Sequence, residues 1–336
     1  MTKRLAEVAK KAGVSEATVS RVLNGRSGVS EATRASVLTA LDVLGYERPT
    51  KLRGERGRLV GLVLPELQNP IFPALAEVVT ASLAQRGFTP ALCARTIGGV
   101  PERDYIEMLL DHQVSGVVFA GGSYALADAE HDHYRQLLDR RMPVVMVNAG
   151  VDGLGFPHIS TDDAVAVEQA YGHLRSLGHE RIGMVLGPED HMPSRRKLAA
   201  VAKLAGWDQP DEWVERTNFS MESARLAAGR LIQRGVTGMI CASDVLALGS
   251  IRAARRLGKD VPSDVSVVGF DDSALMTCTD PPLTTVRQPI EMMGQAAVDL
   301  LVNQIEGSGV RPDELLFEPE LVVRKTTGAR RQAALA

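Results

Sequence analysis

Hydrophobic positions follow two different grammars along this chain. Up to Leu44 they recur at helical spacing: Leu5, Val8, Ala9 and Ala12, then Val19, Val22 and Leu23, then Val37, Leu38, Leu41 and Leu44. Gly13 permits a turn between the first two groups, Ser15 is placed to cap the second helix, and Gly25 to stop it. The run VSEAT occurs at 14–18 and again at 29–33, which predicts one serine-capped helix start used twice rather than a repeat architecture. At about 100° per residue, burying Val19, Val22 and Leu23 leaves Ala17, Ser20, Arg21 and Asn24 on the opposite face, with Glu16 and Thr18 at its margins. No carboxylate occupies the outermost positions.

After a linker at 49–58 the pattern changes to short β-branched runs alternating with helical segments. Strands are expected at 59–64, 90–94, 116–120, 144–148, 182–186, 238–241 and 265–270. Runs apolar on both faces imply parallel sheets covered on both sides. The segment is too long for one modest sheet, so two doubly wound lobes are expected, with the chain crossing between them near 149–159 and 272–290. A cleft between such lobes is the natural ligand site. The domain reading is therefore a helix-turn-helix head at 1–48, a linker at 49–58, a two-lobed core at 59–327 and a tail at 328–336.

Charge gives the head its partner. Residues 1–58 hold twelve Lys and Arg against six Asp and Glu, a net of +6, whereas the whole chain is −3 and the remainder therefore −9. A basic helical head on an acidic body suits phosphate contact, and so double-stranded DNA. With 45% apolar residues the chain has material for real cores. The N-terminus lacks an apolar signal core and no apolar run approaches membrane-spanning length, so the expectation is a cytoplasmic protein without a membrane partner. Cys93, Cys241 and Cys278 are scattered, which fits reduced structural thiols. The His131-Asp132-His133 run has no third ligand nearby, Gly121 and Gly122 lack a nucleotide-loop spacing, and no nucleophile, base and orienting acid assemble. No metal, cofactor or catalytic residue is expected.

Four segments carry a resemblance: LAEVAKKAGVSEATVSRVLN in the head, GHERIGMVLGP at 178–188, ASDVLALGSIRA at 242–253, and VSVVGFDDS followed by PPLTTVRQP and GQAAVDLL. In this order they resemble the lactose-repressor/galactose-repressor (LacI/GalR) family of bacterial transcription factors, from Leu5 to about Thr327. The runs ERPTKLRGERGRLVGLVLPELQNPIFP and PSRRKLAA look like the maltose-type repressors within it. The resemblance implies a homodimer whose heads read a near-palindromic operator while periplasmic-binding-protein-like cores sense a small molecule, such as maltose or a maltodextrin.

It also places the helix from Ser15 to Asn24 in the major groove. Ser20 and Arg21 then reach base edges or phosphates, Ala17 and Thr18 offer methyls to thymine, and Asn24 reaches a phosphate. Glu16 and Ala17 stand where the family sets sequence choice; Glu16 either accepts from a cytosine amino group or simply favours the helix N-terminus. In the shortened linker Leu52, flanked by Lys51 and Arg53, is either a minor-groove wedge at the operator centre or part of an extended basic tether.

For the cleft the resemblance implies Asp271 as a hydroxyl acceptor, the alternative being a turn cap, and Phe219 stacking on a sugar face, the alternative being a core residue, with Asn148 at a strand end and Asn69 and Phe72 in the first lobe. Lys197 stands where relatives commonly have an effector-binding Arg, preceded by Arg195 and Arg196, and which of the three reaches the ligand is left open. Ser243 replaces a usual Asn. Asp162 and Asp163 begin a helix, and one of them is free to face ligand as well. A repressor released by a sugar is the leading reading. A corepressor-dependent regulator shares the architecture; a sugar-binding transport receptor would share the lobes but need export and no basic head. An enzyme on this fold would need a catalytic set that the motifs do not supply.

Overall fold

The computed structural model describes residues 2–23, 28–44, 58–96, 98–151 and 153–330. The chain divides into two compact units, Met1–Arg58 and Leu59–Ala336.

The first unit holds α1 (Thr2–Ala12), α2 (Glu16–Leu23) and α3 (Glu31–Val43). They enclose a small core of Val8, Ala9, Val19, Val22, Val37, Ala40 and Leu41, with Leu5, Leu23, Leu38 and Leu44 packed around it. Gly13, at φ +68°, makes the turn that follows α1, and the amide of Val14 closes it on the Ala9 carbonyl at 3.1 Å. The duplicated VSEAT run works twice as a cap: Ser15 Oγ accepts from the Thr18 amide at 3.1 Å and Ser30 Oγ from the Thr33 amide at 3.2 Å.

The second unit contains two six-stranded sheets. In chain order its elements are β1 (Arg58–Leu64), α4 (Ile71–Gln85), β2 (Phe88–Ala94), α5 (Glu102–Asp111), β3 (Gly116–Phe119), α6 (Asp132–Asp139), β4 (Val144–Val147), β5 (His158–Thr161), α7 (Asp163–Ser176), β6 (Ile182–Leu186) and α8 (Met192–Ala205). They continue with β7 (Val214–Arg216), α9 (Met221–Gln233), β8 (Gly238–Cys241), α10 (Asp244–Arg256), β9 (Ser266–Asp271), β10 (Thr284–Arg287), α11 (Ile290–Ile305), β11 (Glu314–Phe317) and β12 (Glu320–Val322). The first sheet has the order β11-β5-β4-β3-β1-β2, the second β12-β10-β9-β8-β6-β7. Pairing is parallel from β11 through β1 in the first sheet and from β10 through β7 in the second, while β12 runs antiparallel to β10. Fully buried strands such as β3, β4, β6 and β8 show why these sheets read as continuous apolar runs: helices cover both faces.

The first crossing between lobes corrects the sequence reading, while the second falls inside the expected 272–290. β5 still belongs to the first sheet, and α7 packs its Ala166, Val167, Ala170 and Leu174 into the second-lobe core, so the first crossing is at Asp162, beyond 149–159. The second lies between β10 and α11, whose Met293, Ala297, Val298 and Leu301 return to the first-lobe core. A third, between β11 and β12, was not expected. The strands that escaped sequence reading are β5, β7, β10, β11 and β12. They are three or four residues long, and several carry Ser, Thr, Arg or Glu, so they lack the apolar run that marks the others. Residues 328–330, assigned to the tail, are tied to the second lobe: the Gly328 amide donates to Ser266 Oγ at 3.1 Å and the Arg330 amide to the Leu177 carbonyl at 2.9 Å. The cysteines are unbridged, with Cys93 and Cys241 buried and Cys278 exposed. Among the described residues no helix is long and apolar enough to cross a membrane.

Candidate functional site

On α2, Val19 and Val22 are wholly buried, while Glu16, Ala17 and Arg21 are exposed and Thr18 and Ser20 half-buried. Ala17 and Arg21 thus lie on the outward face that helical geometry assigns, whereas Ser20, expected there too, is half-buried and Glu16, expected at its margin, is exposed. Ser15 is exposed but already engaged, since its hydroxyl caps α2 and lies 2.9 Å from Thr18 Oγ1. Asn24, Leu52 and Arg53 lie outside the described residues.

Between the two lobes is a cleft of about 240 Å³. The first lobe lines it with Asn69 and Phe72 at the start of α4 and Asn148 after β4. The second contributes Lys197 on α8, Phe219 before α9, Ser243 before α10 and Asp271 at the end of β9. These seven expected positions therefore share one cavity, as the C-terminal ends of parallel strands dictate. Arg195 and Arg196 do not line it: Arg195 is exposed, and Arg196 pairs with Glu314 of β11 at 2.7 Å. Three consecutive helical residues point about 100° apart, so only one can face the cleft. That residue is Lys197.

Lys197 is 4% exposed, lies 3.8 Å above the Phe270 ring and pairs with Asp163, which also lines the cleft. The two adjacent acids thus divide their work. Asp162 caps α7, accepting from the amides of Ala164 and Val165 at 3.0 and 3.1 Å, while Asp163 serves the cavity. Burial raises the Asp163 pKa although Lys197 and Arg196 pull it down.

Asp271 is 4% exposed. Its Oδ1 accepts from Gln288 Nε2 at 2.7 Å, and its buried Oδ2 makes no hydrogen bond within normal geometry among the described residues, although the Asn69 side chain stands close enough to stabilise the carboxylate. Burial and the Asp244 carboxylate push its pKa well above the ordinary carboxylate range, against Gln288, Lys197 and Asn69. Asp244 itself is pushed up to about 7 by burial, although Thr285 Oγ1 and the Ser273 amide donate to it at 2.6 and 2.8 Å. An acceptor left dry and unpaired costs free energy until a donor fills it, so the cleft holds a carboxylate poised for an O–H or N–H group.

Phe219 rests directly on the backbone: a Cβ at Gly187 would stand 2.5 Å from its Cε2. Only glycine leaves room for the ring there. Ser243 caps α10, its oxygen accepting from the Leu246 amide at 3.2 Å, which leaves its O–H to donate. Sequence reasoning missed His191, Ser194, Gln288, Glu66 and Arg95, all on the cavity wall. Gln288, at the second crossing, also accepts from Thr161 Oγ1 at 2.8 Å and so joins the end of β5 to Asp271. His131 and His133, which suggested no metal site, bond instead to Ser123. Among the described residues no cluster of three His, Cys, Asp or Glu is arranged for a metal ion.

Residues 4–49 match the lacI family of bacterial regulatory proteins, and residues 171–327 match the periplasmic binding protein-like domain. Over 336 residues, 98% of each chain, the protein is 49% identical to the HTH-type transcriptional regulator MalR of Streptomyces coelicolor. The chain belongs to the LacI family. Solved LacI-type structures agree with this two-lobed core: the transcriptional regulator CelR in complex with cellobiose matches at 31% identity and a TM-score of 0.72, covering 96% of this chain and 99% of that one. The lac repressor dimer bound to operator and the anti-inducer ONPF matches at 30% and 0.73, covering 96% and 98%. This LacI-family protein is thus a DNA-binding regulator with a sugar-binding-like C-terminal domain, and not an enzyme.

Proposed function

We propose that this regulator is a cytoplasmic homodimeric repressor whose α2 helices read a near-palindromic operator and whose cleft binds a neutral sugar that releases it. The observation that carries the sugar reading is the buried Asp271 Oδ2, without a hydrogen bond of normal geometry among the described residues, in the same cavity as the Phe219 ring. Carboxylate acceptors and an aromatic face suit a polyhydroxylated ring, whose hydroxyls donate while its C–H face stacks. Half-identity to MalR and the cellobiose complex of CelR support a glucose disaccharide or oligosaccharide, maltose or a maltodextrin first. Lys197 with Asp163, Asn69, Asn148, Phe72 and Ser243 complete the wall.

On DNA, Glu16, Ala17, Thr18, Ser20 and Arg21 face base edges and phosphates, Ser15 and Asn24 the backbone, and Leu52 with Arg53 the minor groove at the operator centre. Release follows from linkage: the sugar must bind the non-operator conformation of the lobes more tightly than the operator-bound one. The test is a gel shift on the promoter region of the neighbouring genes, titrated with maltose, maltotriose, cellobiose and glucose. Loss of the shift with one of them supports the reading. Strengthening of the shift makes that sugar a corepressor, and indifference to all four removes the sugar assignment. Leu52→Ala should lower operator affinity and bending with an unchanged salt slope; full bending would leave the linker a tether.

A further inference from the structure

His191 is one of the cleft residues for which motif reasoning had no role. It immediately precedes α8, lines the cavity, and packs its ring edge-on against Phe219 with centroids 5.0 Å apart at 69°. Its Nδ1 lies 2.9 Å from Ser194 Oγ, and that hydroxyl oxygen already accepts from the Gly187 amide at 3.1 Å. Ser194 is 1% exposed. Its hydroxyl hydrogen therefore needs an acceptor, and Nδ1 is the one in place; were Nδ1 protonated, a buried O–H would be left without a partner. Ser194 thus donates to Nδ1, and the ring proton belongs on Nε2, which has no hydrogen-bond partner among the described residues. Burial, aided by the Lys197 charge, holds the His191 pKa down to about 4, so the ring is neutral near pH 7.

The same residue joins the lobes. Leu126 of the first lobe pairs with His191 in an antiparallel bridge, and the Ala127 amide donates to the Asp190 carbonyl at 2.8 Å. Met192, next along the chain, packs against the first-lobe core around Tyr124 and Tyr134.

We propose that His191 is a specificity-determining residue of the cleft: held in the Nε2–H tautomer by Ser194, it donates a hydrogen bond to an acceptor oxygen of the sugar, while Asp271 accepts from a sugar hydroxyl. The two side chains then read opposite hydrogen-bonding ends of one ligand. Because the His191 backbone is paired with Leu126, a ligand that engages the ring also engages the segment through which the second lobe grips the first. This assignment rests on the sugar reading given above.

Two measurements on the full-length protein test it. Nitrogen-15 NMR of histidine-labelled protein, with His191 assigned by the signals lost in His191→Gln, should show a protonated Nε2 and an unprotonated Nδ1. Ser194→Ala should abolish that fixed tautomer. A protonated Nδ1 in the wild type overturns the proposal. Calorimetry with maltose, maltotriose and cellobiose should show His191→Leu losing about tenfold or more in affinity for the sugar that binds, while His191→Gln, which keeps an N–H donor, stays within about threefold. Equal loss in both variants would make the role one of shape alone, and wild-type affinity in His191→Leu would remove it. If the wild type binds none of these sugars, the sugar reading and this assignment fall together. If the wild type binds and His191→Leu binds equally well, only the role of His191 is lost.

Discussion

The outward face of α2 and the cleft between the lobes are the two candidate recognition surfaces, built on opposite terms with water. On α2 the polar groups stand around a small apolar core, with Glu16 and Arg21 exposed. In the cleft Asp163, Lys197 and Asp271 are each less than a tenth exposed, and one Asp271 oxygen has no hydrogen bond of normal geometry among the described residues. Solvated groups cost little to maintain and act through Coulomb attraction and counterion release, which salt weakens. Desolvated groups are costly to maintain and act by giving a ligand hydrogen bonds that no water contests. DNA binding should therefore fall steeply with ionic strength, while affinity for a neutral sugar should hardly change.

The sharpest way to break this contrast is to remove that acceptor. Asp271→Ala should weaken sugar binding by about 3 kcal/mol or more, roughly a hundredfold, because hydrogen bonds to a buried, desolvated carboxyl are lost. Operator binding should persist, giving a regulator that calorimetry finds blind to sugar and gel shift finds on DNA. Unchanged sugar affinity would remove Asp271 from the ligand. The matching change on the exposed face, Arg21→Ala, should cost about 1–3 kcal/mol in operator affinity if the guanidinium makes a bidentate base contact, with relaxed preference at one base pair. If every DNA sequence weakens equally and the salt slope falls by about one, Arg21 binds phosphate instead.

How much of this was legible in the chain differs between the two regions. The α2 face followed from periodicity alone, because Val19 and Val22 at helical spacing determine what must point away from them. In the cleft, Asp271 and Asn148 could be placed because the family resemblance marks them, at the ends of strands that the apolar runs reveal. Lys197 could not be told from Arg195 and Arg196, because flexible neighbours on a helix differ only in direction, and the packing of α8 against Asp163 and Glu314 decides which is buried. His191 was invisible for a different reason. Its role depends on Gly187, Ser194 and Phe219 converging from three separate segments, and no periodicity records that. The crossing at Asp162 escaped because β5, HIST, takes its strand character from pairing with β4 and β11 rather than from its own apolar content.

Burial also gives the cleft a pH dependence that the α2 face need not share. Asp271 has a pKa raised by burial and Asp244, so the folded state holds that proton more tightly than the unfolded chain does. The stabilisation is present below the unfolded carboxylate value, near pH 4, and is lost as pH rises through the folded pKa. At pH 8, well above the unfolded value, that stabilisation is no longer fully present and the buried carboxyl is a standing cost. Asp271→Asn, which keeps an oxygen for Gln288, should therefore raise the unfolding free energy at pH 8 by about 1 kcal/mol or more, and the gain should shrink as the pH is lowered toward 4. Denaturant titrations at the two pH values decide it. A gain of the same size at both would mean that packing rather than charge is responsible.

The smallest expected effect lies in the twin caps, which separate stability from recognition within the helical unit. Ser15 and Ser30 accept from the Thr18 and Thr33 amides at 3.1 and 3.2 Å, and each hydroxyl lies within 2.9 Å of the following Thr hydroxyl. With the same local geometry, Ser15→Ala and Ser30→Ala should each destabilise their helix by about 0.5–1 kcal/mol, visible as faster amide exchange in α2 and α3 respectively. If Ser15 also meets a phosphate, its replacement should cost operator affinity beyond that shared amount, whereas Ser30→Ala should cost only what destabilisation explains. Ser15→Asp tests the point from the other side. Aspartate is as good a cap, so the exchange rates of α2 should recover, yet a carboxylate facing DNA should weaken operator binding further still. Recovery of both would show that Ser15 serves the helix alone and that the exposed recognition surface begins one residue later, at Glu16.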